Sequence, residues 1–186
     1  MDLKKLEESL TANGASFKYF ETKEEAGDYL LETLSGTTVG IGGSKTVEDL
    51  GLYEKLKEKS EVYWHWKTKP AAEAHKKAAE AEAYICSANG LSEDGAIVNI
   101  DGTGNRIASM FFGHKRLFIV AGVNKICKTY EDAVERAWKT AAPMNAKRFG
   151  LNESKISAIS RGMAVLFRPM NGQKLEVIII NEELGY

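Results

Sequence analysis

Leu3, Leu6 and Leu10 recur at helical spacing and Asn13-Gly14 stops the pattern, which predicts an opening helix ended by a glycine cap. Residues 16–20 read as a short strand, and Thr22 with Glu25 three positions on is a capping-box signature for a helix reaching about Leu34. Residues 37–41 are β-branched and apolar at successive positions, the pattern of a strand buried on both faces, and such strands belong to parallel sheets. Val47, Leu50, Leu52 and Leu56 line the next predicted helix, and residues 62–66 the next strand. Pro70 suits a helix first turn, the alanines between Ala71 and Ala83 make that helix thin and able to pack closely, and residues 84–88 give a further strand.

From Asn89 the texture changes. SEDG, AIVNI and DGTGNR set glycine and acid on both sides of a short strand, a hairpin that feeds a loop. Residues 106–112 resume helical spacing, 117–121 form another buried strand, and from Tyr130 a helix runs through Val134, Trp138 and Ala141 to Pro143. Residues 162–167 and 175–180 read as two strands around Asn171-Gly172, a strong hairpin dipeptide, predicting a C-terminal β-hairpin. Strand, loop and helix alternate throughout, so the expected architecture is α/β: one domain over residues 1–186, a mainly parallel sheet and flanking helices. No internal repeat, linker or low-complexity segment interrupts it.

Composition narrows the function classes. With 186 residues and 44% hydrophobic content, one core suffices without a metal or disulfide staple. Lys and Arg number 25 against 26 Asp and Glu, and no basic block interleaves with aromatics, which argues against a nucleic-acid groove. The longest apolar runs, 117–123 and 177–180, fall far short of the ~20 residues of a membrane helix. The first ten residues are charged and amphipathic, so a cytoplasmic protein is expected. Cys86 and Cys127 stand far apart with no C-x-x-C, and the three histidines show no ligand-like spacing; no metal or other cofactor is indicated.

Four stretches can carry chemistry. Gly40, Gly42, Gly43 and Ser44 follow a buried strand and precede a helix, at the carboxyl edge where α/β sheets bind ligands. Glycines there either let backbone amides approach a phosphate or carboxylate, or only permit a tight turn. The spacing matches neither the Walker A loop nor the dinucleotide fingerprint. Asn99, Asp101, Gly102, Gly104, Asn105 and Arg106 concentrate amides, a carboxylate and a guanidinium in one loop, where Arg106 can fork onto an anion and Asp101 can act as a base. Asn124 and Lys125 lie just beyond a buried strand. Asn145 and Arg148, three apart, share a helix face.

The ordered blocks VGIGGSKTVEDLGL, SEDGAIVNIDGTGNRIASMFFG, IVAGVNKI and AAPMNAKRFGL resemble the lactate-utilisation (LUD) domain family over most of the chain to Leu151. The resemblance implies a fold like that of ribose-phosphate isomerases, glucosamine-phosphate deaminases and CoA transferases. It further implies a link to bacterial oxidation of lactate to pyruvate, beside partner proteins that carry iron-sulfur clusters. Many relatives have a cysteine-rich segment after the AAPxNAKR block, whereas LNESKISAISRGMAVLF has no cysteine.

The leading expectation is therefore a protein of lactate or carboxylate metabolism that binds a small anionic metabolite at these loops, as a monomer or homo-oligomer. A second is isomerase-like proton transfer on a sugar phosphate or CoA ester, with Asp101 or Glu93 as base. A third is a non-catalytic partner subunit or metabolite sensor.

Overall fold

The computed structural model describes residues 1–186, apart from the side chain of Glu153. Helix α1 (Leu3–Ala12) starts on Asp2, whose side chain accepts from Lys5 N, and is followed by Gly14 at φ +86. Strand β1 (Ser16–Phe20) leads to α2 (Lys23–Thr33), whose capping box between Thr22 and Glu25 is formed in both directions. Next come β2 (Thr38–Ile41), α3 (Lys45–Asp49), α4 (Tyr53–Lys57), β3 (Glu61–Trp64), α5 (Ala71–Glu80) and β4 (Ala83–Cys86). The single helix expected through Val47 and Leu56 is thus two, because the chain turns at Gly51 with φ +63, a conformation glycine adopts without strain.

The second half adds β5 (Gly90–Ser92), β6 (Ile97–Asp101), α6 (Asn105–Phe111), β7 (Arg116–Gly122), β8 (Ile126–Cys127) and α7 (Tyr130–Arg136). A π-helical turn, Ala137–Ala141, joins α7 to α8 (Ala142–Arg148), and α9 (Ile156–Ile159), β9 (Gly162–Leu166) and β10 (Lys174–Ile180) complete the order. Pro143 has no N–H for the carbonyl one turn back, and the wide π turn before it absorbs that mismatch so the rod continues. Within it Trp138 faces outward at 41% exposure, so the buried register passes through Ala133, Ala137 and Ala141.

Two sheets result. The larger has the order β1-β10-β7-β4-β2-β3 and is parallel throughout. Its strands alternate between two cores: Val39, Ile41, Ile85, Phe118, Val120 and Ile178 face one side with α2, while Tyr84, Leu117, Ile119, Val177 and Ile179 face the other with Leu6 and Leu10 of α1. Burial on both faces explains the near-continuous apolar sequence of these strands. The smaller sheet, β8-β5-β6-β9, holds the expected hairpin of β5 and β6.

The C-terminal β-hairpin does not form. Asn171-Gly172 makes a turn, but β9 pairs antiparallel with β6 whereas β10 lies between β1 and β7. The sequence of β10 is apolar on both faces and needs a central slot; β9, with Met163 at 41% exposure, suits the edge of the smaller sheet. Among the described residues no helix is long and apolar enough to cross a membrane.

Topology places a crevice. The chain leaves β2 toward β3 at one edge, and after β4 it proceeds to β7 on the opposite side. Adjacent strands whose connections diverge in this way open a gap at their carboxyl ends.

Candidate functional site

A cleft of about 580 Å³ lies at that gap. Its floor comes from the loops after β2, β4 and β7, represented by Ser44, Ser87 and Lys125, and its walls from the β6–α6 loop, α8 and the stretch through Arg161. Of the residues singled out from sequence, Gly43, Ser44, Asp101, Gly102, Asn105, Arg106, Lys125, Asn145 and Arg148 line it.

The first glycine loop divides in two. Gly40 sits within β2 against α5, where a Cβ would collide with the Ala78 carbonyl and stand 2.8 Å from Tyr84 Cδ2. A Cβ on Gly42 would lie 3.0 Å from the Tyr84 hydroxyl and 3.2 Å from Cys86 Cβ. Both glycines therefore serve interior packing. Only Gly43 faces the cleft, beside Trp66 Nε1 and His65. Ser44 caps α3 by accepting from Val47 N at 3.1 Å, which occupies the start of a helix only five residues long.

In the second loop Asp101 folds the chain back. Its Oδ1 accepts from Thr103 N, and its Oδ2 from Arg106 N at 2.9 Å and Ile107 N at 3.2 Å, tying down the first turn of α6. Gly104, at φ +88, is the left-handed residue that lets α6 begin there, and its open surroundings lie outside the cleft lining. Gly102 packs against Ile159, whose carbonyl oxygen would lie 2.6 Å from a Cβ. The Arg106 guanidinium donates through Nη2 to Ile100 O and to Asn89 Oδ1, while its Nε is buried with no partner. Asn99 is fully buried and holds β6 to the end of β4 through Nδ2 to Ser87 O at 2.9 Å.

Three of the expected residues are engaged by backbone amides. Asp101 lines the cleft with both oxygens accepting such bonds. Glu93 lies away from the cleft, accepting from Asp2 N at 2.7 Å at the start of α1. Asn124 points backward, its Oδ1 accepting from Leu184 N at 3.2 Å.

Lys125 is the most confined cation. It is 2% exposed, and its Nζ lies 2.7 Å from Thr46 Oγ1 and 2.9 Å from Ser87 Oγ. Burial first, and then the positive charges of Arg136 and Arg106, push its pKa well below the ordinary 10.5, against weaker opposition from Asp49 and Cys86. Arg136 itself is held to the backbone, donating to Asn124 O and Asn89 O. Cys86, wholly buried, has its thiol pushed up to about 12 by desolvation and is unreactive there.

On the opposite wall Arg148 donates to Asn145 Oδ1 from Nε and Nη2, at 3.2 and 3.1 Å, and stacks 4.5 Å over Trp66 and 4.2 Å over Phe149. Tyr186 reaches the same Asn145 oxygen at 2.8 Å. Trp66, His65, Ser87, Asn89, Arg161 and Tyr186 all line the cleft without having been singled out. His65 and Trp66 follow β3 at its carboxyl end, a position that could have marked them; Tyr186 arrives by chain return and carries no local signal. His65 stacks on His75 with ring centroids 4.1 Å apart, and burial, with help from His75, lowers its pKa to about 4.

Among the described residues Arg106, Lys125, Arg148 and Arg161 have no carboxylate within ion-pair distance. Lys45, also on the wall, is paired with Glu48 and Asp49. No three His, Cys, Asp or Glu side chains among the described residues are placed to hold a metal ion.

The fold is similar to that of a DUF162 family protein from Deinococcus radiodurans, with a TM-score of 0.61 at 15% identity over 96% of both chains. No curated protein matches the sequence. The sequence profile of the LUD domain matches residues 3–180, with every cleft loop named above but the terminal Tyr186 inside the matched span, and the chain belongs to the LUD domain family.

Proposed function

We propose that the cleft binds a small anionic metabolite, and that this metabolite is a carboxylate of lactate-related metabolism. Family membership suggests a function related to lactate utilisation. The observation that carries the reading is the charge imbalance of the cleft: among the described residues Arg106, Arg148 and Arg161 line it without carboxylate partners, while the Asp101 carboxylate is turned to the backbone amides of its own loop. Guanidinium groups left in this state in a concave, partly desolvated site favour an anion that completes their hydrogen bonds. The unpartnered Nε of Arg106 is the sharpest instance, because a buried donor without an acceptor is costly.

Isomerase-like proton transfer by Asp101 or Glu93 lacks support, since the first is occupied and the second lies elsewhere. A melting-shift screen across small carboxylates, sugar phosphates and CoA esters tests the proposal. A ligand at a hundred times its Kd adds about 2.7 kcal/mol, or about 5 to 11 °C for a chain of this size. Shifts with small carboxylates that weaken as salt is raised are expected. No shift with any anion would overturn it.

A further inference from the structure

The amine of Lys125 has an unusual hydrogen-bond account. The Thr46 hydroxyl donates to Leu184 O at 3.2 Å, and the Ser87 hydroxyl donates to Thr46 Oγ1 at 3.3 Å or Ala88 O at 3.4 Å. Both hydroxyl hydrogens are therefore committed, and both oxygens accept from Lys125 Nζ, at 2.7 and 2.9 Å. Two N–H groups are thereby used. A neutral amine has two N–H groups and one lone pair, so this cage satisfies both donors and leaves the lone pair unengaged; an ammonium would carry a third N–H with no acceptor among the described residues. No carboxylate among those residues pairs with the amine, and its pKa direction agrees. Lys125 nevertheless lines the cleft, on the same surface as Arg106.

A neutral lysine amine beside an anion-binding guanidinium has the two groups that a 2-oxo acid requires: a nucleophile for the carbonyl carbon and a fork for the carboxylate. Resting on the anion-binding reading above, we propose that Lys125 forms an imine with 2-oxo acids bound in the cleft, with Arg106 holding the carboxylate. The lone pair of Nζ attacks the carbonyl carbon, a C–N bond forms, and the π pair moves to oxygen, which gains the proton that nitrogen loses. The carbinolamine then expels its oxygen as water, nitrogen gives up its second proton, and the C=N bond forms. Amine plus ketone gives imine plus water, with no change of oxidation state. A 2-hydroxy acid such as lactate has no carbonyl carbon to attack, so it occupies the cleft without bonding.

The test is borohydride trapping with pyruvate, read by intact mass and peptide mapping of the unaltered chain, alongside calorimetry with pyruvate and lactate. Expected are one adduct per chain on the peptide holding Lys125, none with lactate, protection of the site by added lactate, and loss of the adduct in Lys125→Met. Arg106→Lys should need more than tenfold more pyruvate for half-labelling. Pyruvate that binds without a trapped adduct, or adducts spread over surface lysines, would overturn the imine while leaving the anion-binding reading intact. Failure of both acids to bind, with no adduct, would overturn both.

Discussion

Replacing Lys125 with Met removes the amine while keeping an unbranched side chain of similar length, and the structure determines how the effect must depend on pH. Unfolded, the lysine holds its proton up to the ordinary 10.5; folded, burial and the charges of Arg136 and Arg106 make it release the proton well below that. Between those values the unfolded state binds more protons, so the parent gains stability as pH rises and loses it as pH falls. Wherever the folded amine is neutral and the unfolded one protonated, the slope is about 1.4 kcal/mol per pH unit, or about 3 to 6 °C in Tm per unit for a chain of this size. Lys125→Met has no such proton, and the Thr46 and Ser87 hydroxyls keep their own acceptors in Leu184 O and Ala88 O. Urea unfolding of both proteins across that range should show the parent rising by this amount per pH unit relative to the variant. Parallel curves would mean that the folded amine keeps its ordinary affinity for protons, and the neutral cage would be refuted.

Gly42→Val should lower stability by about 1 to 3 kcal/mol, because the added atoms meet the Tyr84 hydroxyl and Cys86 in the interior, and urea unfolding reads the loss directly. Asp101→Ala removes the acceptor for three backbone amides at the start of α6 and should cost about 1 to 2 kcal/mol, read by urea unfolding. His65, with its pKa near 4 against an ordinary 6.5, leaves the unfolded state binding the extra proton between those values. Stability should therefore fall as pH drops through that window, and His65→Phe should flatten the fall in denaturant unfolding. Arg106→Lys keeps the charge but not the planar fork, and should weaken anion binding by about 2 kcal/mol, more than tenfold, in calorimetry.

The larger sheet was legible because its strands are buried on both faces, so residues 37–41 and 117–121 announce themselves without reference to the rest of the chain. The capping box of Thr22 and Glu25 was legible for a similar reason: its partners lie three residues apart. The C-terminal hairpin failed because Asn171-Gly172 reports a turn and not which sheet each flanking strand joins. Glycines were ambiguous in the same way. Gly40 and Gly43 stand three residues apart in one motif, yet the first is dictated by α5 packing on β2 and the second faces the cleft. Polar residues near the loops, such as Glu93 and Asn124, were assigned by chemistry alone, whereas their partners Asp2 and Leu184 are distant in sequence. Arg106, Lys125 and Arg148 could be named from sequence, but their lack of carboxylate partners among the described residues is a property of three-dimensional placement.

Guanidinium groups that lack carboxylate partners among the described residues make this cleft suited to an anion. Calorimetric titration of a small carboxylate identified in the melting screen, run in parallel on the parent and on the Arg106→Gln/Arg148→Gln double variant at matched salt, tests it most directly. One site per chain is expected in the parent, weakening with added salt, with loss of measurable binding in a double variant that still unfolds cooperatively. Equal affinity in the two folded proteins would contradict it.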